Sequence, residues 1–103
     1  MKRIKLTIAY DGTNYCGWQI QPNGITIEEI LNKALSKMTG EEILVIGASR
    51  TDSGVHAMGN VAVFDTDTTI PAEKIAVALN QRLPEDIVIT KSEEVPLDFH
   101  PRH

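Results

Sequence analysis

The sequence predicts an α+β fold, with a four-stranded antiparallel sheet and two helices on one of its faces. Three observations lead there. Ile4, Leu6 and Ile8 alternate with Lys5 and Thr7, the period of two expected of a strand with one wet face. Two segments, Ile27 to Met38 and Ala72 to Leu79, carry apolar residues at helical spacing. Short apolar runs between and after them complete the order β-α-β-β-α-β. Two helices covering one face of such a sheet is the ferredoxin-like solution to burying both apolar surfaces.

The first strand ends in the turn chemistry of Asp11-Gly12. A loop from about Gly12 to Gly24 follows. It holds Tyr15 and Trp18, with Tyr10 just before it, so three of the five aromatic residues fall close together. This favours a packed loop whose aromatics plug one end of the core over direct stacking on a ligand. Thr26-Ile27-Glu28-Glu29 is a capping box. Ile27, Ile30, Leu31, Ala34, Leu35 and Met38 then share one helical face, Glu29 and Lys33 pair at i, i+4, and Gly40 stops the helix. Ile43 to Ile46 reads as a short buried strand. Val61, Val63 and Asp65 read as the next, with Phe64 on its other face. Pro71 suits the first turn of the second helix, whose stripe is Ala72, Ile75, Ala76 and Leu79. Leu83-Pro84 ends it, Ile87 to Ile89 reads as the last strand, and Val95 to His103, with Pro96 and Pro101, as an irregular tail.

A chain of 103 residues suits one domain, 1–103. Its net charge of −4 argues against a protein that binds nucleic acid by charge alone. Cys16 is the only cysteine, which excludes an intrachain disulfide and argues against a zinc cluster. The opening MKRIKLTIAYDG has no continuous apolar core, and no run reaches membrane-spanning length. A cytoplasmic protein with no membrane partner is expected.

Chemistry concentrates in residues 48 to 57, ASRTDSGVHA, between the second and third strands. A hydrolytic triad of Ser53, Asp52 and His56 is disfavoured, because adjacent side chains diverge and no G-x-S-x-G elbow is present. A metal site from Asp52, His56, His100 and His103 has no recognised ligand spacing. A third reading makes Asp52 a lone catalytic carboxylate in an RNA-facing cleft. Arg50 would then be a planar cation for phosphate or base contact, and Gly54 would allow close approach. From composition alone, a plain Arg–Asp pair with a serine and a threonine satisfying a turn is the favoured explanation of the residue types.

The string Arg50-Thr51-Asp52-Ser53-Gly54-Val55-His56-Ala57 closely resembles the signature of the TruA family of tRNA pseudouridine synthases. Four further blocks resemble it in family order: Tyr10-Asp11-Gly12-Thr13 with Gly17-Trp18-Gln19-x-Gln21; Thr26-Ile27-Glu28; Asn80 with Leu83-Pro84-x-Asp86-Ile87; and Phe99-His100-x-Arg102. Ser49 departs from the glycine that family members commonly carry there. The resemblance implies isomerisation of uridine to pseudouridine in the anticodon stem-loop of tRNA, without cofactor or metal. Asp52 matches the catalytic aspartate, and Arg50 matches the arginine that occupies the stack vacated by the flipped base. On the same resemblance Thr51 and Ser53 are expected to set the loop, Thr51 and Gln19 to bind RNA, His56 to bind RNA or, the favoured role, to brace the loop by a hydrogen bond, and Gln19 and Gln21 to line or brace the cleft. Family members are more than twice this long, with two similar halves and an active site between them. The chain is therefore expected to be an N-terminal half whose C-terminal half is absent. That half would supply a Tyr stacking on the uracil and a basic partner for the aspartate. The isolated half is expected to be inactive, and the complete enzyme to be a homodimer with tRNA as partner. The rival is a non-catalytic RRM-like RNA-binding module of the same strand–helix order, but the RNP1 pattern is missing. A ferredoxin-like small-molecule domain gives no reason for the Arg50–Asp52 string.

Overall fold

Strand β1 (Lys2–Tyr10) is the inner strand on which the sheet is built. The computed structural model describes residues 1–15, 17–18, 24–47 and 57–101, apart from the side chains of Ala57 and Met58. After β1 come a 3-10 turn (Gly12–Asn14), α1 (Ile27–Thr39), β2 (Ile46–Gly47), β3 (Ala57–Thr66), α2 (Ala72–Asn80) and β4 (Ile87–Val95). The strand order is β2-β3-β1-β4, and every neighbouring pair is antiparallel. This is the α+β, two-helix, four-stranded antiparallel arrangement that the periodicities predict.

The alternation in β1 sorts residues as expected. Ile4, Leu6 and Ile8 are fully buried, and Phe64, Ala62 and Asn60 of β3 stand opposite them. Ile27, Leu31 and Leu35 of α1 and Ile75 and Leu79 of α2 join the same core. Thr26 caps α1 by accepting a bond from the Glu29 amide at 3.4 Å, and Gly40 closes it at φ 74°, where a side chain would be strained.

Four boundaries differ from the sequence reading, each for a physical reason. The run Ile43 to Ile46 is not a buried strand. Only Ile46–Gly47 pairs with β3, and Leu44 and Ile46 are exposed. The amides of Ile43 and Val45 donate instead to Ser36 Oγ (2.9 Å) and Asn32 Oδ1 (2.8 Å) of α1, so helix side chains replace a strand partner. Pro71 is not in the first turn of α2. Its ψ of 142° keeps it extended as the N-cap, and Ala72 is the first helical residue. Strand β3 begins earlier than Val61, at Ala57, and Phe64 rather than Val61 lies on its core face. Strand β4 runs on past Ile89 and includes Val95, which the sequence places in the tail. A register shift opposite Thr7 and Ile8 inserts Thr90 as an extra residue, so Ile87, Ile89 and then Ser92 are the buried positions. The alternation legible in the sequence breaks at that bulge.

Ser92 gains a role from the phase change. Its hydroxyl accepts from the Ala76 amide (2.9 Å) and donates to the Ala72 carbonyl (2.6 Å), tying β4 to the first turn of α2. Among the described residues, no helix is long and apolar enough to cross a membrane.

Ser92→Ala removes both bonds from a buried site. It should lower unfolding free energy by about 1–3 kcal/mol in a urea titration, whereas Thr90→Ala on the exposed bulge should change it by less than about 0.5 kcal/mol.

Candidate functional site

The segment singled out by the sequence, residues 48–56, connects the end of β2 to the start of β3. Arg50, Thr51, Asp52 and His56 lie outside the described residues, as does Gln19. The described structure gives the residues that flank them in the chain.

Trp18 is central among these flanking residues. It is 2% exposed, and its indole packs so closely on Gly47 that a Cβ built there would sit 2.4 Å from Trp18 Nε1. Gly47 is the last residue of β2, so the indole lies against the backbone where the chain enters the 48–56 segment. Tyr10 flanks Trp18, with ring centroids 6.2 Å apart and planes tilted by 31°. Tyr10, Tyr15 and Trp18 are all buried in the core. The aromatic loop is therefore the plug that composition favoured. At the other end of the segment, β3 starts with a register irregularity opposite Ile8 and Tyr10, which bends the strand beside its first residues.

The loop carrying Trp18 is pinned on two sides. The Gly17 and Trp18 carbonyls accept from the Ile27 (3.1 Å) and Glu28 (2.9 Å) amides, satisfying donors that the start of α1 leaves open. Before them, Asp11 Oδ1 accepts from the amide (3.0 Å) and hydroxyl (2.6 Å) of Thr13. The Asp11 amide donates to the Asp86 carbonyl at 2.9 Å. The Tyr15 hydroxyl donates to Asp86 Oδ1 at 2.5 Å. Burial, and then this bond, push the Tyr15 phenol well above its ordinary value. Asp86 thus joins the Tyr10-Asp11-Gly12-Thr13 block to the Leu83-Pro84-x-Asp86 block. Nothing local to either block marks the other as its partner.

A second anchor lies on the opposite face of the sheet from the core. Arg3 Nε and Nη2 donate to Asp65 Oδ1 (2.7 Å) and Oδ2 (3.0 Å), and Nη1 donates to the Phe99 carbonyl at 2.6 Å. Lys5 Nζ stands 5.5 Å from the centroid of the Phe99 ring. These bonds fix the chain after β4 against β1 and β3. The Arg3 hydrogen bonds hold the Asp65 carboxyl below its ordinary value. Sequence reasoning missed this cluster. Its only local trace is a cation and an acid on strands whose pairing was not known beforehand.

Among the described residues, no group of three or more His, Cys, Asp or Glu comes together to hold a metal ion. Of the metal set weighed from sequence, only His100 is described.

A family model described as tRNA pseudouridine synthase matches residues 6–103. A tRNA pseudouridine synthase A from Ruminiclostridium cellulolyticum is 59% identical over 103 residues, 100% of this chain and 42% of the relative. One from Clostridium acetobutylicum is 58% identical over 102 residues, 99% of this chain and 42% of the relative. One from Acetivibrio thermocellus is 52% identical over 103 residues, again 42% of the relative. The chain spans about 42% of the length of these curated relatives.

Gly47→Ala should drive the indole off the β2 backbone, cost about 1–3 kcal/mol, and red-shift the intrinsic fluorescence, for which Trp18 is the single indole. For Asp65, the depressed value in the folded state means that the pair stabilises the fold above the ordinary aspartate value of 3.8. That contribution is lost as the pH falls through the lower folded value. Asp65→Asn should therefore destabilise the chain at pH 7 and flatten its loss of thermal stability below about pH 4, as followed by circular dichroism melts.

Proposed function

The chain belongs to the tRNA pseudouridine synthase family across residues 6–103. On that premise we propose that it is the N-terminal part of a TruA-type enzyme isomerising uridine to pseudouridine in the anticodon stem-loop of tRNA. The observation that carries the reading is the match of the family across residues 6–103, which include the whole Arg50-to-Ala57 string. The strand order β2-β3-β1-β4, with both helices feeding one core, supports the ferredoxin-like arrangement.

In this reaction the N1–C1′ bond of uridine breaks, the uracil turns while bound, and C5 bonds to C1′. The proton lost from C5 is balanced by one gained at N1. Composition and oxidation state are unchanged, so the chemistry calls for a transient participant rather than a redox cofactor. Asp52 is that participant in this proposal, as nucleophile or base. Arg50 fills the stack left by the flipped base, a role its flat guanidinium suits and an ammonium does not. Thr51, His56 and Gln19 contact RNA around it. Trp18 packed on Gly47 and the register irregularity at the start of β3 flank the 48–56 segment in the chain. The remaining length of the enzyme would complete the cleft as a second half, and the whole enzyme would act as a homodimer.

The test is tritium release from tRNA labelled at uridine C5, with the chain in its full-length context. Asp52→Asn should lower turnover by about 10³-fold or more while tRNA binding persists. Arg50→Ala should slow turnover in a folded protein, and Arg50→Lys should not restore it. Near-parental turnover by Asp52→Asn would overturn the assignment. Binding of tRNA without any release by the parent would favour the RRM-like module.

A further inference from the structure

A groove of about 460 Å³ lies between α1 and the connection from α2 to β4, lined by Ile30, Lys33, Ala34 and Lys37 of the helix and by Arg82 and Pro84 of the connection. Its floor is aliphatic and its rim is cationic. Three of the chain's ten Lys and Arg residues gather here in a molecule of net charge −4, so the local sign opposes the global one. Lys33 is paired with Glu29 at 3.4 Å. Lys37 and Arg82, both exposed, have no ion-pair partner among the described residues. Resting on the function proposed above, we propose that this groove is a second RNA contact, which takes the phosphodiester backbone of the tRNA away from the target uridine.

The lining favours a polyanion over a small ligand. Exposed Lys33, Lys37 and Arg82 share this open groove with Ile30, Ala34 and Pro84, and it has no enclosed wall to read a shape. Exposed cations on flexible stems recognise charge spacing rather than base identity, as phosphate contacts do. Both walls are also fixed to the candidate site. The start of α1 is bonded to the Gly17 and Trp18 carbonyls. The Pro84 side is held by Asp86, which bonds the Asp11 amide and the Tyr15 hydroxyl. The groove is therefore tied to the loop that carries Trp18 and, through its indole, to Gly47. The chain measures 34 Å in its longest direction, so a folded tRNA is long enough to lie on both at once.

The experiment compares the parent, Lys37→Gln/Arg82→Gln and a control pair of the same charge change, Lys74→Gln/Lys91→Gln, in the full-length context. It reads tRNA affinity against salt concentration, and kcat and KM from tritium release. The groove pair should weaken tRNA binding about tenfold and reduce the slope of log affinity against log salt by about 2, one unit for each lost phosphate contact. It should raise KM and leave kcat and the thermal melt unchanged, while the control pair changes none of these. Equal behaviour of the two pairs on a parent that turns over tRNA would overturn the groove and leave the function reading intact. A parent that binds tRNA but never isomerises it would sink the function reading, and a selective binding loss in the groove pair would still support the contact. A groove pair that keeps full tRNA affinity but loses an acidic protein partner would overturn the RNA assignment.

Discussion

The indole of Trp18 against the bare backbone of Gly47 is the contact on which the candidate site depends. It couples three elements that share no hydrogen-bond ladder at that point: the loop after β1, the edge strand β2 and the start of α1. Strand β2 pairs over only Ile46–Gly47. So short an edge strand holds its last residue poorly by backbone bonds alone. A large buried ring supplies what the ladder does not, and it does so only because position 47 carries no side chain. The Gly17 and Trp18 carbonyls, bonded to α1, then keep the ring from withdrawing.

A second theme is the use of polar side chains in place of main-chain partners. Asn32 and Ser36 satisfy amides ahead of β2, and Asn80 both donates to the Ile89 carbonyl (2.9 Å) and accepts from the Ile89 amide (2.8 Å). Ser92 bridges two groups of the first turn of α2. Each joins a helix to the sheet or to the segment leading into it, and each gives a backbone group a side-chain partner. Helices attached this way resist sliding over the sheet, because apolar packing alone has no directional preference.

Charge is distributed with a comparable division of labour. On the open face of the sheet, Arg3 is consumed by Asp65 and the Phe99 carbonyl, so it serves the path of the chain after β4. On the helix side, Lys37 and Arg82 are left to solvent beside an aliphatic floor. A net charge of −4 conceals that local cationic surface, which is why the bulk number alone argued against nucleic-acid binding.

Much of the fold was legible in the sequence, because strand and helix periods, the Thr26 cap and the Gly40 stop are local properties of neighbouring residues. The string from Arg50 to Ala57 was legible for a different reason: its residue types and spacing resemble a family signature, and the family match spans it. Tertiary structure decided the rest. The β4 bulge opposite Thr7 and Ile8 moved Ser92 into the core, and helix side chains took over the backbone of Ile43 and Val45. The Arg3 bonds reach 62 residues to Asp65 and 96 residues to Phe99. The fit of Trp18 on Gly47 likewise depends on where the fold brings the two together. Interactions between residues so far apart in the chain leave no periodic trace in the local sequence, since they exist only after the strands have paired and the helices have docked.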